Sequence, residues 1–251
     1  MEQMMTVEGV IIKEYNLGES DKTFVIFTRE QGKMRMAASG IRNYRSKLGG
    51  SSRFLQYARF VLKKGKTLYR VQECERIEGF DELRKDLNAL SVGAYLAEIT
   101  SDALLDEEPC EDLFRLFLNT LHFLSKNPEQ WKFYKSVYEL HLVSQMGYRP
   151  VLEHCASCGK EEGPFFFSNE KNGLVCSSCG NGTLIPQEII KAVRFMVSAP
   201  MKEVFSVVAA DHILVTVSAL SESYLVYILG KMPRSLTYLH RMEEILEDIN
   251  G

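Results

Sequence analysis

The sequence predicts an α+β multidomain fold: a small N-terminal barrel of five β-strands, then an α-helical domain with an inserted four-cysteine ribbon. Three observations carry this. The apolar pattern alternates with a period of two over residues 6–75 and turns helical from about Phe80. Four of the six cysteines fall between Cys155 and Cys179. The charges are segregated along the chain.

The strands come first. Thr6–Tyr15 is rich in β-branched residues and is followed by a turn at Asn16–Asp21. Lys22–Arg29 is apolar on both faces, as a covered strand is. Gly32 marks a hairpin turn within Glu30–Lys33, and Lys33–Ser39 alternates. The loop Gly40–Ser52 separates it from Arg53–Lys63, which turns at Lys64–Lys66 into Thr67–Cys74. Five short strands in so few residues suggest a closed Greek-key barrel, the OB-fold. We place this domain at 1–79 and a helical domain at 80–251.

In the helical domain, Leu83, Leu87, Leu90, Ala94, Ala97 and Leu104 form one predicted stripe. Pro109, after the acids Asp106, Glu107 and Glu108, suits the start of a second helix through Leu113, Phe114, Phe117, Leu118 and Leu121. Asn127 as N-cap with Gln130 predicts a capping box for a third, which ends at Gly147. Trp131, Tyr134, Tyr138 and Leu142 share one face of it. A further helix starts at Pro186, and the last 35 residues read as helical. The long apolar stretch Val204–Leu220 is interrupted by Asp211 and His212, and it reads as buried core. Glu2, Glu8, Lys13 and Glu14 break up any leader-like segment, so a cytoplasmic, reducing setting is expected.

Composition bounds the class. Apolar residues make up 45% and charged residues 25%, as in an ordinary globular chain, and the 17 Gly and 7 Pro exclude a collagen-like or low-complexity one. The net charge of −3 alone argues against a nucleic-acid partner. Its distribution argues the other way. Residues 1–80 carry +6 and residues 81–251 carry −9. Between Glu30 and Glu73 lie 42 residues without an acid but with eleven bases. Such a one-sign field is the footprint of a site for a polyanion.

Alternation then decides which way the bases point. In Arg53–Lys63 it sets Phe54, Phe60 and Leu62 on one face and Arg53, Tyr57, Arg59 and Lys63 on the other. In Lys33–Ser39, Lys33 and Arg35 oppose Met34, Met36 and Ala38. The loop adds Arg42, Arg45 and Lys47. Cations that track phosphates, with an aromatic such as Tyr57 to stack a base, are what single-stranded nucleic acid requires. The candidate nucleic-acid-binding residues are therefore Lys33, Arg35, Arg42, Arg45, Lys47, Arg53, Tyr57, Arg59 and Lys63.

Cys155-x2-Cys158 and Cys176-x2-Cys179, 17 residues apart, have the spacing of a four-cysteine zinc site. Gly159 and Gly180 follow each pair directly, as a tight knuckle needs. We expect one Zn²⁺ within the segment 152–182. Four thiolates leave no open coordination position, so the ion would be structural. The sequence lacks G-x-x-x-x-G-K-[ST], H-E-x-x-H, G-x-S-x-G and G-x-G-x-x-G, which lowers the expectation of catalysis or of a nucleotide cofactor.

Several short motifs in order then become informative. They are Thr6-Val-Glu-Gly-Val-Ile-Ile12 with Gly18-Glu-Ser-Asp21, Phe27-Thr28 followed by Gly32-Lys33, and Ser39-Gly40-Ile-Arg42 with Arg45-Ser46. In the second half they are Gly147-Tyr-Arg-Pro150, Cys155-Ala-Ser-Cys158-Gly159 and Gly173-Leu-Val-Cys176-Ser-Ser-Cys179. Together they resemble the RecO family of bacterial DNA-repair and recombination mediators. The resemblance spans nearly the whole chain. It implies binding of ssDNA and dsDNA through the barrel, annealing of complementary strands, and, with RecR, help in loading RecA onto ssDNA coated by the single-strand-binding protein SSB. It also implies docking of the acidic, Phe-ending SSB tail on the helical domain, with Lys231, Arg234 and Arg241 as candidates, and action at the nucleoid during repair. Some members of the family lack the cysteines, which fits a stabilising metal. Two other classes are compatible with the residues alone: an RNA-binding or ribosome-associated zinc protein, and a metal-dependent nuclease using the acids of Glu73–Glu82.

Overall fold

The first strand, β1 (Met4–Leu17), is long enough to serve two neighbours, and this closes the barrel. It pairs antiparallel with β2 (Asp21–Thr28) and with β4 (Tyr57–Lys63). β2 pairs with β3 (Gly32–Ala38), and β5 (Tyr69–Glu78) joins β3 in parallel and β4 antiparallel. The closed order β1-β2-β3-β5-β4 is that of an OB-like barrel. The computed structural model describes residues 4–43, 46, 48, 52–207 and 210–250.

Alternation fills the interior. Val7, Ile11, Phe24, Ile26, Met34, Met36, Ala58, Phe60 and Leu62 point inward and are buried together. β2 is apolar on its outer side as well because helix α2 (Glu111–Lys126) covers it: Phe27 meets Phe114 and Phe117 edge-on at 5.3 and 6.0 Å. The fourth strand begins at Tyr57, and not at Arg53 as the alternation suggested. Residues 54–55 form a turn, with Leu55 buried at a left-handed φ of 60° and its N–H bonded to the Ile11 carbonyl.

After a 3-10 turn at Asp81–Lys85, α1 runs Leu87–Ala103, with the Asp86 side chain accepting from the Ala89 N–H as a true N-cap. The predicted stripe is out of phase here. Leu87 is 45% exposed, and the buried positions are Ala89, Val92, Gly93, Tyr95, Leu96, Ala97 and Ile99. α1 packs on β1, on α2 and on α7 (Arg234–Asn250), so small residues serve as well as leucines. Gly93 is one of them: a Cβ there would lie 2.8 Å from Leu55 Cδ1.

The chain divides into two compact units, residues 1–126 with 234–251, and residues 127–233. The change from strand to helix near residue 80 is thus one boundary, and the packing draws another. The barrel, α1, α2 and α7 form the first unit. Glu98 accepts from the backbone N–H of Arg234 and Ser235, fixing the start of α7 against α1.

The second unit contains α3 (Trp131–Gln145), the hairpin β6 (Phe165–Ser168) and β7 (Gly173–Cys176), then α4 (Gln187–Ser198), α5 (Met201–Val204) and α6 (Asp211–Leu229). The expected capping box does not form. Pro128–Gln130 is a 3-10 turn, and the Asn127 amide reaches the Tyr134 hydroxyl instead. Val204–Leu220 is likewise not one buried segment, because α6 starts at Asp211 and continues to Leu229. By length and composition α6 is the described helix apolar enough to cross a membrane, with 33% of its most apolar window buried. It packs against α3 and α4.

Candidate nucleic-acid interface and metal centre

Three settings of cations among the described barrel residues bear on a polyanion site. The first is an open groove of about 590 Å³ at the β4–β5 turn, lined by Lys63, Lys64, Lys66, Thr67, Arg70 and Ala37, with Gly65 and Leu68. Lys64, Lys66 and Arg70 are exposed and, among the described residues, make no ion pair. Four cations surround this groove without a lining acid. Of them only Lys63 was singled out from the sequence. Lys64 and Lys66 sit in the turn, where strand alternation assigns no face, and Arg70 lies at the start of β5, a strand to whose faces no bases were assigned from the sequence, although the acid-free window contained all three.

The second setting is the outer face of β1–β3. Past a bulge between Ile11 and Lys13, β1 presents Lys13 and Tyr15, which pair across to Val25 and Thr23. With Lys33, Arg35, Leu68, Ser101 and Asp102 they line a pocket of about 480 Å³. Its cations are already partnered. Lys13 Nζ lies 3.2 Å from Asp102, and Lys33, 12% exposed, donates to the Ser101 carbonyl and pairs with Asp106 at 3.2 Å. Arg35 reaches the other oxygen of Asp106 at 3.3 Å. The segment Asp106–Glu108 lies along β3. The Glu107 N–H donates to the Lys33 carbonyl at 2.9 Å, and a Cβ on Gly32 would lie 1.9 Å from the Glu108 carbonyl oxygen.

The third setting holds Tyr57 and Arg59. The Tyr57 ring packs against Phe114 at 5.9 Å, and its hydroxyl donates to Glu8 at 2.8 Å. Burial, aided by the Glu8 carboxylate, pushes the Tyr57 hydroxyl up to about 12. Glu8 is held below its usual range by the Tyr57 hydrogen bond first and by Arg59 second. Arg59 bridges Glu8 and Glu75, at 2.8 and 3.2 Å. The aromatic and the base that alternation grouped for a ligand are thus both engaged within the first unit.

Arg42 is exposed and donates to the Gly18 carbonyl. Arg53 is exposed in the turn before β4. Arg45 and Lys47 lie outside the described residues. The structure therefore brings Lys63 together with Lys64, Lys66 and Arg70, and Lys33 together with Arg35 and Lys13. It does not bring Arg59 or Tyr57 to either place. Lys13 and Tyr15 were not found from sequence, although the bulge leaves them on one face.

The cysteines converge in the second unit. All four sulfur atoms lie within 4.8 Å of one another, and Cys158 Sγ and Cys176 Sγ are 3.7 Å apart. Four sulfurs at about 2.3 Å from a central ion would be spaced about 3.8 Å apart on a tetrahedron. The cluster can therefore hold a metal ion. Cys155 and Cys176 are buried, whereas Cys158 and Cys179 are exposed. The knuckles are built by the backbone. Gly159, at a φ of 77°, donates to the Cys155 carbonyl, and Gly180 donates to that of Cys176. The Cys176 N–H donates to the Cys155 sulfur, and this is the main cause of the Cys155 thiol falling to about 6. Hydrogen bonding with the sulfurs of Cys158 and Cys176 pushes the Cys179 thiol up to about 12.

The hairpin is tied to the helices around it. Val151 bonds both Asn172 and Leu174 through its backbone, Asn169 donates to Ser223, and Phe167 meets Tyr224 edge-on at 5.3 Å. The Tyr224 hydroxyl donates to the Tyr148 carbonyl.

Comparison with known proteins agrees with this architecture. Residues 1–80 match the family model described as recombination protein O N terminal, and residues 84–237 match recombination protein O C terminal. A DNA repair protein RecO of Acetivibrio thermocellus is 34% identical over 246 residues, covering 96% of this chain and 98% of the relative. One from Alkaliphilus metalliredigens is 31% identical, covering 80% and 84%, and one from Pelotomaculum thermopropionicum is 28% identical, covering 95% and 94%. The order of barrel, helices and cysteine hairpin, together with these matches over both halves, shows that the chain belongs to the RecO family of DNA repair proteins.

Proposed function

We propose that this chain binds DNA through its barrel and acts as a recombination mediator without catalysing a reaction itself. The observation that carries this is the groove at the β4–β5 turn. Lys63, Lys64, Lys66 and Arg70 converge there with no acid among the lining residues. Such a cluster attracts a phosphate backbone through release of its counterions, whatever the base sequence. Arg42 and Arg53, exposed outside the groove, and Arg45 and Lys47 belong to the basic set proposed from the sequence, as do Lys33, Arg35, Arg59 and Lys63.

The finer reading follows the family resemblance. Both ssDNA and dsDNA are substrates, complementary strands are annealed, and RecR joins in exchanging SSB for RecA. A basic surface that screens phosphate repulsion suits annealing on physical grounds. The SSB tail, acidic and ending in Phe, needs an apolar surface beside a cation, and the second unit exposes Met232, next to Lys231 in sequence, and Tyr227 in the last turn of α6. The metal is Zn²⁺, held by Cys155, Cys158, Cys176 and Cys179 with no ligand position left for substrate. Its part is to hold the hairpin closed against α6.

The test is the double reversal Lys64→Glu/Lys66→Glu. Fluorescence anisotropy with a labelled oligonucleotide should show binding weakened at least about tenfold at low salt. The slope of log affinity against log salt should become shallower by about 0.7 for each phosphate that is no longer neutralised. Unchanged binding at two salt concentrations overturns the assignment. Competition with structured RNA separates DNA from RNA as the preferred ligand.

A further inference from the structure

The β1–β3 face holds an arrangement that the open groove lacks: a cationic pocket with its own counter-anions supplied by the chain. Three bases, Lys13, Lys33 and Arg35, line it, and two carboxylates, Asp102 and Asp106, sit on them at 3.2–3.3 Å. The acids come from the end of α1 and the connection to α2, about 70 to 90 residues away in sequence from the bases they neutralise. The connection is seated on β3 by the Glu107–Lys33 backbone bond, the close approach permitted by Gly32, and a hydrogen bond between Tyr69 and Glu107. β3 meets β5 only at Met36 and Ala37, so this acidic segment occupies the side of the strand that β5 leaves unpaired.

Two further features point to a ligand. Tyr15 lines the pocket with its side chain 55% exposed, an aromatic among three cations. Leu68 lines both this pocket and the open groove, so the two adjoin. A strand lying along Lys63–Arg70 would reach the β1–β3 face by passing Leu68.

We propose that Asp102 and Asp106 are a latch on a second subsite for single-stranded polynucleotide, in which Lys13, Lys33 and Arg35 take backbone phosphates and Tyr15 stacks a base. The carboxylates hold the places that phosphates take, and a strand anchored in the open groove displaces them. The latch sets a threshold. Short or weakly anchored polyanions meet a neutralised face, and only a strand already held next to it competes effectively for the cations. This rests on the reading of the barrel as the DNA-binding surface.

Two measurements test it, with oligothymidine as the probe. Asp102→Asn/Asp106→Asn keeps the shape of both side chains and removes their charge. Its affinity should rise at least about threefold over that of the native chain. Glu82→Gln, which neutralises an acid paired within its own turn to Lys85, sets the baseline for a general change in charge. Tyr15→Trp in the otherwise native chain adds a second emitter to the single Trp131, and the added emission should be quenched when oligothymidine binds. This second measurement decides the matter even if the double variant loses stability. An affinity rise no greater than the square of the factor given by Glu82→Gln, which removes one charge where the latch variant removes two, or unquenched Trp emission, overturns the latch. If Lys64→Glu/Lys66→Glu still weakens binding in that case, the barrel reading stands without it. If that reversal leaves binding unchanged, the barrel reading itself has failed.

Discussion

The Lys135 ammonium lies 3.0 Å from the Glu139 carboxylate, one helical turn along α3, and both side chains are sealed from solvent. Glu222 of α6 approaches the same ammonium at 2.8 Å, and Ser221 donates to Glu139. Burial alone would lower the Lys135 pKa, but the two carboxylates outweigh it and raise it. The raised value means that this stabilisation is complete at neutral pH and is lost only in strong alkali. Lys135→Ala would leave Glu139 buried without its cation, and we expect a cost of about 3–5 kcal/mol. Lys135→Met/Glu139→Leu should recover much of that loss. Trp131, the only tryptophan, begins α3 and reports the transition in a urea titration.

Removing the metal should loosen the hairpin from α6. Metal analysis is expected to give about one zinc per chain, and Cys155→Ser or Cys176→Ser should abolish retention. The melting temperature reported by Trp131 should fall, by about 2–4 °C for each kcal/mol of stability removed in a chain of this size. A metal-free chain with an unchanged melting temperature would remove the structural role assigned to the ion.

Gly32 and Gly147 separate two kinds of glycine requirement. Both have positive φ, 61° and 90°, but a Cβ at Gly32 meets the Glu108 backbone while Gly147 has open space around it. Gly147→Ala should cost about 1 kcal/mol from backbone conformation alone. Gly32→Ala should cost at least about 2 kcal/mol, because backbone must move as well. Equal losses in thermal unfolding would show that the 106–108 segment is not held against β3.

Acid should weaken the barrel through Glu8. Its folded pKa is lowered by Tyr57 and Arg59, so its contribution is present above the unfolded value near 4.5 and fades as pH falls through the folded one. Melting temperatures between about pH 3 and 7 should therefore drop more steeply for the native chain than for Glu8→Gln at the acidic end.

Much of the barrel was legible because its pattern is local. In β3 and β4, Met34, Met36, Phe60 and Leu62 point inward as alternation requires, and one covered face suffices to set the register. The cysteine cluster was legible for the same reason: each C-x-x-C turn gathers two sulfurs by itself. The phase of α1 was not, since a helix packed on three sides buries Gly93 and Ala97 as readily as leucine and leaves Leu87 outside. The availability of the bases was hidden too. Lys33 and Arg35 fall in the acid-free run between Glu30 and Glu73, and their counter-anion is Asp106, which only the fold brings to them. The turn bases Lys64 and Lys66 show the converse, a basic groove built where no periodicity exists to read.

The return of α7 to the first unit bears on the order in which the protein is made. Leu236 and Leu239 are fully buried, and α7 packs on α1. A ribosome therefore releases the barrel, α1 and α2 long before the helix that completes their packing, and it makes the whole of residues 127–233 in between. The nascent first unit must wait with an apolar flank uncovered, while the second unit can finish folding as a continuous stretch. A stop codon anywhere in 127–233 would then damage the barrel's own unit, although every barrel residue had already been translated. The surface left uncovered by premature termination would be the flank of α1 that Leu236 and Leu239 bury in the finished chain.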